Sequence, residues 1–248
     1  DHWARMGNAG WSFADVLPYF KRSEDQENGA DAYHGAGGPL AVSNPREPHE
    51  LCEAFIRAGM ERGLPRREDF NGADQEGIGY FQTTSRNGRR CSTAVGYLRP
   101  ARGRKNLHIV THALAHRIVF EGRRAAGVEF LHQGRIKLAR AGGEVVLAAG
   151  AINSPQLLEL SGCGQAERLN GFGIPVILDA PQVGENLQDH LQVRMVFRCK
   201  KPITLNDQYR NLFRRVGIGL RYAVQRKGPL AVSAGYGTAF FRSDTRIA

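Results

Sequence analysis

The chain has 248 residues, 42% of them hydrophobic, and 34 Lys/Arg against 24 Asp/Glu give it a formal net charge of +10. That length suits one large domain or two small ones with a sizeable core, and no apolar run approaches the ~18 to 20 residues a membrane span needs. Cys52, Cys91, Cys163 and Cys199 are far apart and form no CxxC pair, which argues against a zinc or disulfide framework. The sequence begins at Asp1 and shows no signal peptide, so cytoplasmic and membrane-associated locations both stay open.

Arg86 to Lys105 carries seven Arg/Lys and no acid, and Arg194 to Lys227 carries ten opposed only by Asp207. Aromatic residues do not interleave with these charges as an RNA-binding sheet would require, and no helix-turn-helix or zinc-finger spacing is present. The simpler reading is solvated basic faces, with no nucleic acid as partner; a basic anion-binding module is kept as the competing class.

In chain order, Phe13, Val16, Leu17 and Phe20 are spaced as one face of a helix. Pro18 is unsuited to a helix interior, so the helix is expected to start near Asp15 as its cap. Trp3 and Trp11 are expected to pack this segment onto a core. Tyr33 to Ser43, YHGAGGPLAVS, is a glycine-rich loop entering a short strand. Pro48 is expected to open a helix whose apolar positions are Leu51, Phe55, Ile56 and Met60, with Gly63 at its end. Leu64 to Gly79 reads as a loop, long enough to suggest function or a contact elsewhere. Arg86 to Pro100 reads as a turn, a short helix capped by Ser92 and a proline stop, with Arg89 and Arg90 able to hold an anionic group.

From Asn106 the apolar period becomes two, and strands are expected over His108 to Thr111, His116 to Glu121, Ala125 to Leu131 and Ile136 to Ala139. Turns at Glu121-Gly122-Arg123 and Gln133-Gly134 make this a β-meander. His108, His112 and His116 lie across strand and turn, so they are not expected to ligate a metal. Val176 to Leu178 is expected as a short strand, Val183 to His190 as a polar loop or short helix, and Gln192 to Arg198 as a strand. Tyr209 to Lys227 reads as a basic amphipathic helix and Gly237 to Arg242 as a last strand.

The meander leads into Glu144 to Gly164, EVVLAAGAINSPQLLELSGCG. Val145, Val146 and Leu147 read as a strand buried on both faces. Ala148, Ala149, Gly150 and Ala151 leave almost no side-chain bulk, so a backbone or a flat ligand can approach closely. Ser154 is expected as N-cap with Pro155 at the first helical position, and Gly162 as the stop. Such a strand–turn–helix is found both in ordinary α/β cores and where they hold nucleotides or anions. GxGxxG, HExxH and GxSxG are all absent, and Asp189 and His190, being adjacent, make a weak dyad.

Taken together these segments resemble the glucose–methanol–choline (GMC) family of flavin-dependent oxidoreductases, nearest its choline dehydrogenase and alcohol dehydrogenase branch. GAINSPQLLELSGCG matches a family signature at nearly every position, with Cys163 in place of an aliphatic residue and Gln165 in place of a frequent proline. GWSFADVLPYFKRSE, YHGAGGPLAV, DFNGADQEGIGYFQ, GRRCSTAVGYLRPA, NLHIVT with RAAGVEF, and VGENLQDHLQ are similar to family blocks in family order, so the resemblance covers essentially the whole chain.

The resemblance implies an α/β (α+β) fold: part of a Rossmann-like flavin domain with a β-meander, interleaved with a substrate domain built on an antiparallel sheet. Residues 106–190 would then be the flavin-domain portion, 1–105 mixed linker, substrate-side and flavin-covering segments, and 191–248 the start of the substrate domain. FAD is the implied cofactor, with Ala149, Gly150 and Ala151 near the dinucleotide and the backbone of Ala115 contacting adenine. The implied reaction is oxidation of a primary alcohol, possibly choline, by hydride transfer to flavin; a flavin-binding lyase is the alternative. The family's GxGxxG and its catalytic histidine match nothing here, so the chain is expected to be an internal fragment, inactive alone, with no catalytic residue of its own. The small alcohol is the implied partner, and the electron acceptor stays undefined.

Overall fold

The computed structural model describes residues 1–232 and 235–244 and divides the chain into two compact units, 1–107 with 197–248 and 108–196. The first unit opens with α1 (His2–Arg5) and α2 (Phe13–Ser23). Asp15 does not cap α2. Ser12 does, accepting the Asp15 N–H while the Asp15 carboxylate accepts the Ser12 N–H at 3.0 Å, a reciprocal capping box that starts the helix three residues early. These hydrogen bonds, the one from the Ser12 hydroxyl first, hold the Asp15 carboxyl below its usual range. Pro18 therefore lies inside the helix, against expectation. Trp3 and Trp11 pack edge-to-face on each other, 5.7 Å between centroids, and both stay exposed rather than covering a core.

Next, β1 (Glu24–Gln26) pairs in parallel with β2 (Leu40–Val42). Helix α3 (Glu50–Glu61) follows, capped by His49, whose Nδ1 accepts the Leu51 N–H at 3.2 Å, so Pro48 stands just outside the helix. The expected loop after it contains β3 (Arg66–Arg67) and leads into β4 (Gly77–Tyr80), which pair in parallel. Ile56 and Ile78 are each 1% exposed and form the centre of this unit. A hairpin of β5 (Ser85–Arg86) and β6 (Arg89–Arg90) turns through Asn87-Gly88, both with positive φ. A π-helical turn at Ala94–Leu98 then runs into α4 (Arg99–Ala101), so Pro100 sits within helix rather than stopping it.

The second unit is built on the meander: β7 (Ala113–Glu121), β8 (Arg124–His132) and β9 (Arg135–Arg140), antiparallel in that order. Its tight turns use Gly122 and the Gln133-Gly134 pair, all with positive φ, as two-residue hairpins require. Helix α5 (Gly150–Leu160) packs on β7, and β10 (Cys163–Gly164), α6 (Ala166–Gly171) and β11 (Leu178–Asp179) complete the unit. Ile118, Ala126, Leu157, Cys163 and Leu169 are its buried apolar residues.

Three expected strands are absent: 108–111, 145–147 and 192–198 run without ladder partners. Val146 is 78% exposed and Val196 92% exposed. Apolar, β-branched residues extend the backbone, but a strand also needs a neighbour to take its hydrogen bonds.

The first unit resumes with α7 (Leu205–Arg210), boxed by Thr204 and Asp207, and α8 (Leu212–Gln225), the expected amphipathic helix. Finally β12 (Gly237–Phe240) adds antiparallel to β4, where Phe240 meets Phe70 at 5.3 Å.

Candidate functional site

The start of α5 is the candidate site in the second unit. Ala149 is its N-cap and donates its N–H to Ser154 Oγ at 3.1 Å. Ser154 is thus not the cap, and Pro155 lies inside the helix. The helix begins five residues earlier because Gly150, at φ +89°, turns the chain in the left-handed region that L side chains rarely adopt. A Cβ built on Gly150 would meet nothing within 4 Å, and Ala149 and Ala151 are exposed beside it. The three residues therefore form an uncovered, nearly featureless step.

Beside this step lies a cavity of about 490 Å³ lined by Ala151, Ile152, Pro155, Glu159, Gly184 and Leu187, among others. Ile152 and Leu187 present bare apolar surface, 71% and 65% exposed. At the rim, Arg168 binds Glu159 at 2.9 Å and also Glu185, which ties the 184–188 loop to α5 and α6. The hydrogen bond that Arg168 donates to Glu185, then the charges of Glu185 and Glu159, raise the Arg168 pKa further. A single guanidinium offsets only one of these two carboxylate charges, so the trio leaves net negative charge at the rim.

Ala115 sits on β7, exposed, opposite Phe130 and next to a register shift between Ala115 and Arg117. Its strand is fastened to α5 through Ser161, whose buried hydroxyl accepts the Ile118 N–H at 2.8 Å and donates to the Leu157 carbonyl. The structure thus gathers Ala149, Gly150 and Ala151 in one turn and sets Ala115 on the strand beside that helix. Asp189 and His190 form no side-chain dyad; the Asp189 carboxylate takes the His190 backbone N–H at 2.7 Å.

Sequence reasoning missed the buried polar cluster of the first unit. His34, 5% exposed, has Nδ1 3.0 Å from Glu24 Oε2 and Nε2 3.0 Å from Asp69 Oδ2, with Gln26 beside it. Burial pulls its pKa down, but the bonds to Asp69 and Glu24 outweigh that and hold it above the ordinary histidine value. The partners lie 10 and 35 residues away along the chain, so no local motif announces them. Among the described residues no group of three or more His, Cys, Asp or Glu is disposed to hold a metal ion, and no helix is long and apolar enough to cross a membrane.

Residues 1–192 match the family model for GMC oxidoreductases. The chain belongs to the GMC oxidoreductase family. Its α/β fold is the one seen in flavoprotein members of that family. Among its relatives, the oxygen-dependent choline dehydrogenase 1 of Chromohalobacter salexigens is 51% identical over 208 residues, covering 83% of this chain and 37% of that protein. The mitochondrial choline dehydrogenase of Homo sapiens is 44% identical over 247 residues, 100% of this chain and 41% of the relative. Among solved structures, pyridoxine 4-oxidase from Mesorbium loti is 36% identical with a TM-score of 0.67, covering 71% of this GMC chain and 35% of that one. An FAD-dependent oxidoreductase from Chaetomium thermophilum is 27% identical with a TM-score of 0.81, covering 95% and 44%. The GMC chain spans less than half the length of these curated relatives, 37% and 41%.

Proposed function

We propose that this chain is part of an FAD-dependent oxidoreductase that oxidises the CH–OH group of a small primary alcohol, with choline the first substrate to test. The observation that carries this reading is the 44% identity to a choline dehydrogenase sustained over 247 residues, from end to end of the chain. When bound, FAD supplies the hydride acceptor. The residues present suit such a group: Gly150 faces open space where a larger side chain would stand, and Ile152 and Leu187 leave apolar surface beside it. In this proposal Ala149, Gly150 and Ala151 keep room for the dinucleotide, and the Ala115 backbone meets the adenine. Ser161 holds β7 against α5, so that strand and helix keep their spacing. Residues 106–190 are assigned to the flavin domain and 191–248 to the substrate domain. The base that takes the hydroxyl proton is assigned outside this chain. The relatives reported above are two dehydrogenases, an oxidase and an oxidoreductase, which leaves the lyase alternative without support.

The test is a substrate panel. Full-length protein containing these residues is assayed with choline and with aliphatic and aromatic alcohols under an artificial electron acceptor. Turnover of choline above the panel supports the choline reading. Turnover of another alcohol keeps the oxidoreductase and moves the substrate, and no turnover of any alcohol overturns the reading.

A further inference from the structure

The first unit contains a second concavity, about 800 Å³, lined by Gly37 to Pro39, the β5–β6 hairpin, the π-helical turn and Arg226. Its walls hold five arginines, Arg86, Arg89, Arg90, Arg99 and Arg226, and no Asp or Glu. Arg86 is met by Asp25 Oδ2 at 2.7 Å, but the other oxygen of that carboxylate already accepts the Gly37 N–H at 2.9 Å, so Asp25 has little left to offer. Arg226 lies over the Tyr222 ring, 5.1 Å from its centroid. Arg89, Arg90 and Arg99 have no carboxylate within ion-pair distance among the described residues.

The backbone forces this crowding. Arg86 and Arg89 are directly opposite each other in the β5–β6 ladder, where like charges repel. The hairpin cannot back away, since its tip is seated against the end of α8: a Cβ on Gly88 would stand 2.3 Å from the Arg226 carbonyl oxygen. Arg226 itself has φ +56°, a left-handed backbone uncommon for a side-chain-bearing residue. On the far wall, Val95 and Gly96 belong to the π-helical turn, a rare element that concentrates at functional sites. Guanidinium groups gathered in a walled space suit a compact polyanion, because their planar forks match phosphate oxygens two at a time.

We propose that this cavity binds a phosphorylated small molecule of diphosphate size, with Arg89, Arg90 and Arg99 as its ligands. A free inorganic phosphate and the phosphates of a nucleotide share this chemistry, and the test separates them. The intact chain is titrated calorimetrically with inorganic pyrophosphate, ADP and adenosine at fixed ionic strength, a readout that requires neither flavin nor turnover. Saturable pyrophosphate binding is expected, weakened about tenfold or more in R89Q/R90Q and unchanged in R123Q/R135Q, which removes the same charge from the meander. ADP binding more tightly than pyrophosphate assigns a nucleotide; equal or weaker binding assigns a free phosphate. Should R89Q/R90Q fail to fold, R99Q removes a ligand from the other wall, with the same loss expected. Equal binding by wild type and these variants, equal loss in R123Q/R135Q, or adenosine binding as well as ADP would overturn the proposal.

Discussion

Ala151 is the residue at which the flavin reading is easiest to break without disturbing the fold. It is exposed, helical and on the cavity wall, so leucine, a good helix former, can stand there without strain. Ala151→Leu is expected to leave the urea midpoint of the full-length enzyme unchanged while weakening FAD binding about tenfold or more, read by flavin fluorescence. Gly150 is a poorer test, because any side chain at φ +89° adds backbone strain on the order of 1–2 kcal/mol. His34 makes a different prediction. Its raised folded-state pKa means that its stabilisation is fully present below about pH 6.5 and is lost as pH climbs through that higher value. Replacing it with glutamine leaves Glu24 and Asp69 without their shared cation, at a cost on the order of 2–3 kcal/mol after allowing for the partial exposure of both acids. Urea unfolding at pH 6 and pH 8.5 should show that loss at the lower pH and a smaller one at the higher.

At the scale of elements, the meander was legible because its evidence is local: a period of two, and turn residues where positive φ is needed. Helix α8 was legible for the same reason, with Leu212, Val216 and Leu220 along one face. What was not legible depended on partners. The segments 145–147 and 192–198 have strand-like residues but no pairing neighbour, and α2 is capped at Ser12 because a reciprocal hydrogen bond outweighs the proline inside the helix. The small-residue step at 149–151 was legible as composition, whereas its placement at the helix start needed Gly150's left-handed backbone. The joint between β7 and α5 was invisible, since Ser161 and Ile118 are 43 residues apart. Ser161→Ala would strand the buried Ile118 N–H, a cost of about 1–3 kcal/mol, seen as a lower urea midpoint. An unchanged midpoint would show that the joint carries no weight.

For the whole molecule, the matched curated relatives are more than twice as long as the stretch they share with this chain. Large apolar side chains are bare in both units, including Phe213 at 86% and Leu191 at 97% exposed. Bare apolar side chains of this size are what a hydrophobic dye binds. Purified residues 1–248 are therefore expected to bind a hydrophobic dye strongly and to come out colourless. A yellow preparation with stoichiometric FAD would contradict that expectation. The most direct test of alcohol oxidation by this protein uses full-length protein loaded with FAD and mixed with choline in the absence of oxygen. Loss of the oxidised flavin absorbance is expected, with one betaine aldehyde formed per flavin reduced. Flavin that stays oxidised with choline and with every primary alcohol of the panel would contradict it.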